Sequence, residues 1–193
     1  MFEVRIHGRG GQGVVTAAEL LSVAAFEEGW HAQAFPSFGS ERTGAPVVSF
    51  CRFSQRPIRT REPVAEPDAL IVQDPTLLHQ VDLFAGLDGA GYALINSTRG
   101  IEELGLGDLA GGFEPGRLLT VQATALAREH LGRPLPNAAL LGGFAGQTGR
   151  LRIDSVLAAI RERFPGENGE RNAAAAQACF THVRAQMREA VRV

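Results

Sequence analysis

The stretch that decides the fold is FEVRIHGRGGQG, residues 2–13. Apolar Phe2, Val4 and Ile6 alternate with polar residues as far as His7, and this period of two predicts a β-strand. A glycine loop, Gly8–Gly13, comes next, and apolar residues then recur at helical spacing until the chain reaches Gly29. The opening therefore predicts a strand, a glycine loop and a helix.

The same pattern of apolar segments separated by turns continues along the chain. Further strands are predicted at 30–34, 45–53, 69–72, 92–95 and 118–121, and helices at 76–84, 123–131, 137–145, 153–164 (with Asp154 as its N-cap) and 176–190. Residues 54–67 are predicted to form a surface excursion, and the glycine-rich residues 105–117 a loop. We expect one domain, 1–193, with an α/β layered fold: a mostly parallel sheet flanked by helices, and a helical C-terminal third.

Composition excludes several classes of function. The 193 residues carry a net charge of −2, which does not favour binding to nucleic acid or to an anionic membrane. All lysine and arginine positions are arginine. No segment resembles a signal peptide or a membrane helix, so a cytoplasmic protein is expected. Two cysteines, Cys51 and Cys179, are too few for a disulfide framework, a four-thiolate cluster or a cysteine-rich zinc site, and we expect both to be buried.

The glycine loop has the spacing of a dinucleotide-binding fingerprint, because Gly8, Gly10 and Gly13 stand between a strand and a helix. Such a site also needs an acidic residue for the ribose at the end of the second strand. Residues 31–34 read His-Ala-Gln-Ala there, without an acid. The alternative interpretation is that the glycines permit a tight turn and close packing of helix on strand.

Other polar residues suggest a ligand edge but not a self-contained active site. The loop 33–46 is dense in Gly, Ser, Glu and Arg and leaves the end of a strand, where α/β proteins bind ligands; an ordered interface loop is the alternative. Asp74 and Asn96 also end strands. The five histidines show neither metal spacing nor a triad. Polar Glu3, Arg5 and His7 on one face of the first strand suggest that this face meets polar residues or a partner, and we expect it, with the excursion 54–67, to lie against a partner.

Two motifs together carry a family resemblance. Residues 8–19, GRGGQGVVTAAE, and residues 34–47, AFPSFGSERTGAPV, closely resemble the γ subunit of 2-oxoacid:acceptor oxidoreductases of the pyruvate, ketoisovalerate and phenylglyoxylate types. The resemblance implies a complex with α, β and δ subunits that oxidatively decarboxylates a 2-oxoacid and forms acyl-CoA. It also implies thiamine diphosphate with Mg²⁺ between α and β, iron–sulfur clusters on δ and often β, and an acceptor that is ferredoxin or a NAD-reducing subunit.

The resemblance further implies that this subunit helps to bind coenzyme A, and holds neither a catalytic residue nor a metal. The expected CoA-binding residues are Gly8, Arg9, Gly10, Gly11, Gln12, Gly13, Ser40, Glu41, Arg42, Thr43 and Asn96. Lysine is absent, so Arg9, Arg42 or Arg52 would meet the phosphates, and Arg9 or Arg42 is the predicted contact. Two alternatives remain open: a purely structural subunit of the same complex, and a free-standing dinucleotide-binding reductase.

Overall fold

The computed structural model describes residues 1–37 and 44–190, and its centre is a six-stranded sheet. The strands are β1 (Phe2–Arg9), β2 (His31–Pro36), β3 (Pro46–Ser54), β4 (Ala69–Val72), β5 (Tyr92–Asn96) and β6 (Leu118–Val121). Their order across the sheet is β2-β3-β1-β4-β5-β6. β1, β4, β5 and β6 run parallel to one another, whereas β3 is antiparallel to both β1 and β2. The predicted mostly parallel sheet is confirmed.

The position of β3 differs from the simplest interpretation of the opening unit. A strand, a helix and a second strand in succession most simply form a unit with the two strands side by side, but here β3 lies between β1 and β2. Neighbouring strands are about 4.8 Å apart, so β2 lies roughly 10 Å from β1. The end of β2 is therefore not the neighbour of the glycine loop that a dinucleotide-binding site requires.

Helices cover one face of the sheet and loops cover most of the other. The helices are α1 (Val14–Glu27), α2 (Gly107–Ala110), α3 (Ala123–Leu131), α4 (Asn137–Thr148), α5 (Ile153–Arg163) and α6 (Glu167–Ala190). Val4, Ile6, Ile71 and Leu94 share the main core with α1, α4, α5 and α6. The alternate strand residues, among them Leu70, Val72 and Ile95, pack in a smaller core with Leu77 and Leu104. The predicted helical C-terminal third is confirmed.

Three local predictions need correction. The helix predicted at 76–84 is only a 3₁₀ turn, Pro75–His79. The carbonyls of Leu83 and Ala85, at and just beyond the predicted end of that helix, accept hydrogen bonds from Arg5. Residues 105–117 contain α2. The N-cap of α5 is Arg152, and Asp154 lies within its first turn.

The polar face of β1 is covered by this chain itself, so the expectation that it meets partner subunits is wrong for Arg5 and His7. Each is only 8 % exposed. The Arg5 guanidinium donates to the carbonyls of Val64 and Ala65 in the excursion. It also donates to the carbonyls of Leu83 and Ala85. The excursion therefore folds back over the sheet, because a buried guanidinium needs acceptors.

An aromatic cluster closes the amino-terminal edge of β1. Phe2 lies opposite Phe53 on β3, with ring centroids 5.2 Å apart, and Trp30 packs edge-on against Phe53 at 5.7 Å.

Cys51 and Cys179 are fully buried, as predicted. No helix in the described ranges is long and apolar enough to cross a bilayer.

Candidate functional site

The glycine loop lies at the carboxyl end of β1 and leads directly into α1. A Cβ on Gly8 would stand 2.7 Å from a Val14 methyl carbon and 3.0 Å from the Gln12 Oε1. Gly13 is the N-cap of α1 with φ of 70°, a left-handed conformation that favours glycine. The glycines at both ends of the loop are thus required by close approach and by backbone conformation.

Two helices begin side by side at this loop. A Cβ on Gly13 would lie 2.5 Å from Nδ2 of Asn137, the first residue of α4. The first intrahelical bonds are donated by Ala17 in α1 and Leu140 in α4, so the preceding amides have no acceptor within their helices. Neither first turn contains an acidic residue, and neither N-cap supplies a side-chain acceptor. The paired N-termini therefore present positive dipole ends to an anion.

A cavity of about 260 Å³ lies against these helix N-termini. Its polar lining comprises Gln12, Thr16, Arg133, Asn137, Asn168 and Asn172, and none of its lining residues is acidic. Arg133 stands in the loop between α3 and α4 and is exposed. One arginine, four amide side chains and free helix amides suit an anion such as a phosphate.

Arg133, Asn168 and Asn172 were missed in the sequence analysis. The segment Arg133-Pro134-Leu135-Pro136 before α4 carries the only available signal: a basic residue just ahead of a helix whose first turn lacks acids. The two asparagines belong to α6 and reach the glycine loop only through the packing of α6 on α4.

The Arg9 side chain is held by this chain. Its Nε lies 3.2 Å from Asp74 Oδ2, its Nη1 donates to the Gly44 carbonyl at 3.0 Å, and its Nη2 donates to Thr76 Oγ1 at 2.7 Å. Gln12 joins the network, because its Oε1 accepts from the Arg9 amide and its Nε2 donates to Asp74. Arg9 therefore organises the loop as seen here, and its predicted contact with CoA stays a prediction.

The Asp74 carboxyl is ionised within this network. Partial burial acts to raise the pKa of Asp74, but hydrogen bonds from Thr76 and Gln12 and the charge of Arg9 outweigh it. The pKa of Asp74 is accordingly lower than its ordinary value. A carboxylate beside Arg9 at neutral pH follows from this balance.

Asn96 lies at the same edge of the sheet, at the end of β5, and its amide group is fully engaged. Its Nδ2 donates to the Gln73 carbonyl and to Thr124 Oγ1, both at 2.8 Å, and its Oδ1 accepts from the Thr124 amide at 3.1 Å. Asn96 thus ties the end of β4 to the start of α3. Its predicted role in binding CoA stays a prediction.

The other predicted residues are the four of the 40–43 segment and Arg52. Ser40, Glu41, Arg42 and Thr43 lie outside the described residues. Arg52 is 2 % exposed, pairs with Glu3 and donates to the Glu62 carbonyl near the opposite end of β1, so the expectation that it could meet a phosphate at the glycine loop is wrong. Within residues 1–37 and 44–190 no group of His, Cys, Asp or Glu could hold a metal ion.

A larger cavity, about 550 Å³, lies at the amino-terminal edge of the strands and has mixed charge. Arg117 and Arg150 line it, each stacked on an aromatic ring, together with Glu66, Asp68 and Asp88. Carboxylates in the lining disfavour a polyanion. The acid-free cavity at the glycine loop is the better candidate for a phosphate-bearing ligand.

Comparison with known proteins agrees with this architecture. The family model described as "Pyruvate ferredoxin/flavodoxin oxidoreductase" matches residues 3–181. The "Pyruvate/ketoisovalerate oxidoreductases common subunit gamma" of Thermococcus kodakarensis is 49 % identical over 180 residues, covering 93 % of this chain and 96 % of that protein. "Pyruvate synthase subunit PorC" of Methanothermobacter thermautotrophicus is 47 % identical over 183 residues, with 95 % and 96 % covered.

A solved structure gives the same result. The crystal structure of pyruvate oxidoreductase subunit PORC from Thermotoga maritima matches with a TM-score of 0.78 and 33 % identity, over 93 % of this chain and 95 % of that one. The family match spans most of the chain, and the relatives are covered almost end to end. The chain thus belongs to the pyruvate ferredoxin/flavodoxin oxidoreductase family, as a γ subunit of a multi-subunit 2-oxoacid:ferredoxin oxidoreductase.

Proposed function

We propose that this subunit binds coenzyme A at the glycine loop within a complex that converts a 2-oxoacid, CoA and oxidised ferredoxin into acyl-CoA, CO₂ and reduced ferredoxin. The observation that carries the proposal is the acid-free cavity in which Arg133 faces the N-termini of α1 and α4. CoA carries a pyrophosphate and a 3′-phosphate. Backbone amides and a guanidinium are the groups that hold such phosphates.

In this proposal the redox chemistry takes place on other subunits. Thiamine diphosphate with Mg²⁺ supplies the carbanion-stabilising chemistry at α and β, and iron–sulfur clusters on δ and β carry the electrons. In support, the two cysteines of this chain are buried on different elements, Cys51 on β3 and Cys179 on α6. The contribution of the γ subunit is to bind CoA, orient it and complete the assembly.

A free-standing nicotinamide-dependent reductase fits the structure poorly. Such an enzyme would hold the ribose with an acid at the end of the strand that follows the first helix, and that strand would lie next to β1. The strand that follows α1 is separated from β1 by β3, and it ends in Phe35-Pro36. We therefore do not extend the proposal to NAD.

Replacing Arg133 in the assembled complex tests CoA binding. Loss of a charge-assisted contact costs about 1.5–3 kcal/mol, so Arg133→Gln is expected to raise the KM for CoA about tenfold to hundredfold. The KM for the 2-oxoacid, whose pocket lies on other subunits in this proposal, is expected to stay within about twofold. Steady-state kinetics with each substrate varied separately measure both values.

Arg128→Gln is the matched control, because Arg128 is exposed on α3 and does not line the cavity. It should leave both KM values unchanged. An Arg133→Gln complex with the wild-type KM for CoA, or with equal losses for both substrates, would contradict CoA binding here and favour the purely structural role.

A further inference from the structure

Three separate segments of the chain meet at Arg9 and Asp74. The Gly10 amide donates to the Ala45 carbonyl at 2.9 Å, and the Gly44 amide donates to the Gly10 carbonyl at 3.2 Å, so the glycine loop pairs with the entry to β3. Arg9 spans both segments through the Gly44 carbonyl. Asp74, which follows β4, is the third segment.

The Asp74 carboxylate uses both oxygens. Oδ1 accepts from the amide and the hydroxyl of Thr76, at 3.0 and 2.6 Å, which fixes the turn after β4. Oδ2 accepts from Gln12 Nε2 at 2.9 Å and faces Arg9 Nε at 3.2 Å. The side chains of Asp74 and Arg9 are 14 % and 23 % exposed, so this pair is largely shielded from water. One carboxylate thereby connects a fixed turn to two residues of the glycine loop.

The Arg9 guanidinium has little capacity left for a ligand. Its Nε faces Asp74, its Nη1 donates to Gly44, and its Nη2 donates to Thr76 and to Gln80 Oε1 at 3.2 Å. A phosphate placed on this guanidinium would also stand next to the Asp74 carboxylate, and like charges repel. The geometry thus favours an indirect role for Arg9.

We propose that Asp74 is a positioning residue for CoA binding: it holds Arg9 and Gln12, and through them fixes the glycine loop in its ligand-binding conformation. This inference rests on the proposed function of the loop. A loop fixed in advance loses less conformational entropy when a ligand binds. Removing the carboxylate charge therefore weakens CoA binding without removing any group that touches CoA.

The sign of the effect of Asp74→Asn separates this role from direct contact. If Asp74 positions the loop, Asp74→Asn in the assembled complex raises the KM for CoA about tenfold, with kcat and the KM for the 2-oxoacid within about twofold. If Arg9 instead binds a phosphate directly, neutralising its carboxylate partner leaves the KM for CoA unchanged or lowers it. The latter result overturns the proposal.

A double-mutant cycle adds a second criterion. Arg9→Gln should raise the KM for CoA as much as Asp74→Asn does. The double variant should have a KM for CoA no higher than that of the more impaired single variant, because both changes release the same loop. Fully additive losses would overturn the proposal. Asp88→Asn is the matched control: Asp88 also accepts two turn amides, from Ala90 and Gly91, but at the opposite edge of the sheet. It should leave the KM for CoA unchanged.

Hydrogen exchange of the complex without CoA decides the proposal independently of CoA kinetics. Amides of residues 8–16 should exchange at least about tenfold faster in Asp74→Asn than in the wild type, whereas Asp88→Asn should not change them. Unchanged exchange overturns the positioning role. If exchange accelerates but the wild-type activity does not depend on CoA, the positioning role stands and the proposed CoA function fails.

Discussion

Buried polar side chains in the described part of this chain differ in whether they find hydrogen-bond partners: Gln147 does, whereas His7 is among those with an unpartnered atom. Gln147 Nε2 donates to the carbonyls of Ala93, Gly116 and Arg117, which closes the start of β5 and β6. His7 is 8 % exposed, and its Nε2 has no hydrogen-bond partner within the described residues. Burial, assisted by the nearby charge of Arg5, lowers the pKa of His7 to about 4. The imidazole is thus held neutral.

His7 should make the stability of the fold depend on pH. In the unfolded chain the imidazole takes up a proton near its ordinary pKa of 6.5, but in the folded chain only near 4. Protonation therefore favours unfolding, and stability attributable to His7 falls by roughly 3 kcal/mol from pH 7 to pH 4. Urea unfolding at several pH values should show a shallower decline for His7→Gln than for the wild type.

The comparison needs a second histidine as its control. His31 is exposed at the start of β2, and His31→Gln should retain the pH dependence of the wild type. Equal pH dependence of His7→Gln and the wild type would show that His7 is not held neutral by burial.

Helix α4 is the central helical element, and three glycines set its distance to α6. A Cβ on Gly142 would stand 1.9 Å from the Ala176 carbonyl oxygen. A Cβ on Gly143 would stand 2.9 Å from Cys179 Sγ, and a Cβ on Gly146 would stand 2.9 Å from the Phe180 carbonyl oxygen. The backbones of α4 and α6 thus come close enough to exclude even a methyl group.

Replacing Gly142 should reverse the usual effect of glycine to alanine in a helix. Such a change normally stabilises a helix by about 0.5–1 kcal/mol. Here the added methyl must displace α6, so Gly142→Ala is expected to lower the free energy of unfolding by about 1–3 kcal/mol. Urea unfolding of the purified chain measures the change.

Gly111→Ala is the matched control for this element. Gly111 has a helical backbone, with φ of −61°, and its added Cβ would make ordinary contact with the Asp108 carbonyl oxygen at 3.5 Å. It should be neutral or slightly stabilising. Stabilisation by Gly142→Ala would mean that α4 and α6 are further apart than described.

Elements with a strong local pattern were predictable from sequence. Strands 69–72 and 118–121 have the predicted bounds because each is a short apolar run with turn residues beside it, Asp74-Pro75 after the first and Pro115-Gly116 before the second. The helix expected at 76–84 is only a 3₁₀ turn, and the contact of the Leu83 and Ala85 carbonyls with Arg5, which is far away in sequence, leaves no local signal. The insertion of β3 beside β1 also leaves no local signal, since pattern encodes a strand but not its neighbour.

The candidate site was half predictable for the same reason. The glycine loop has a local signature, so its position between β1 and α1 was evident from sequence. Arg133 and Asn168 belong to distant segments and meet the loop only when α4 and α6 pack together. Arg9 was expected at a phosphate because arginine suits that role, but a partner such as Asp74 cannot be identified from spacing.

At the scale of the whole molecule, iron content is the simplest test of which subunits hold the iron–sulfur clusters. The purified γ chain alone is expected to contain no stoichiometric iron and no absorbance near 400 nm, because its two cysteines are buried apart and four thiolates are needed for a cluster. The assembled complex serves as the positive control. An iron–sulfur spectrum in the isolated chain would place a cluster on this subunit.

The aromatic cluster at the amino-terminal edge also provides a built-in optical reporter. Trp30 is the only tryptophan in the sequence, and its indole packs against Phe53 opposite Phe2. The glycine loop begins six residues further along β1, roughly 20 Å away at about 3.3 Å per residue. Tryptophan emission should therefore change when the sheet unfolds and stay constant when a ligand fills the distant cavity. It thus reports folding without interference from binding.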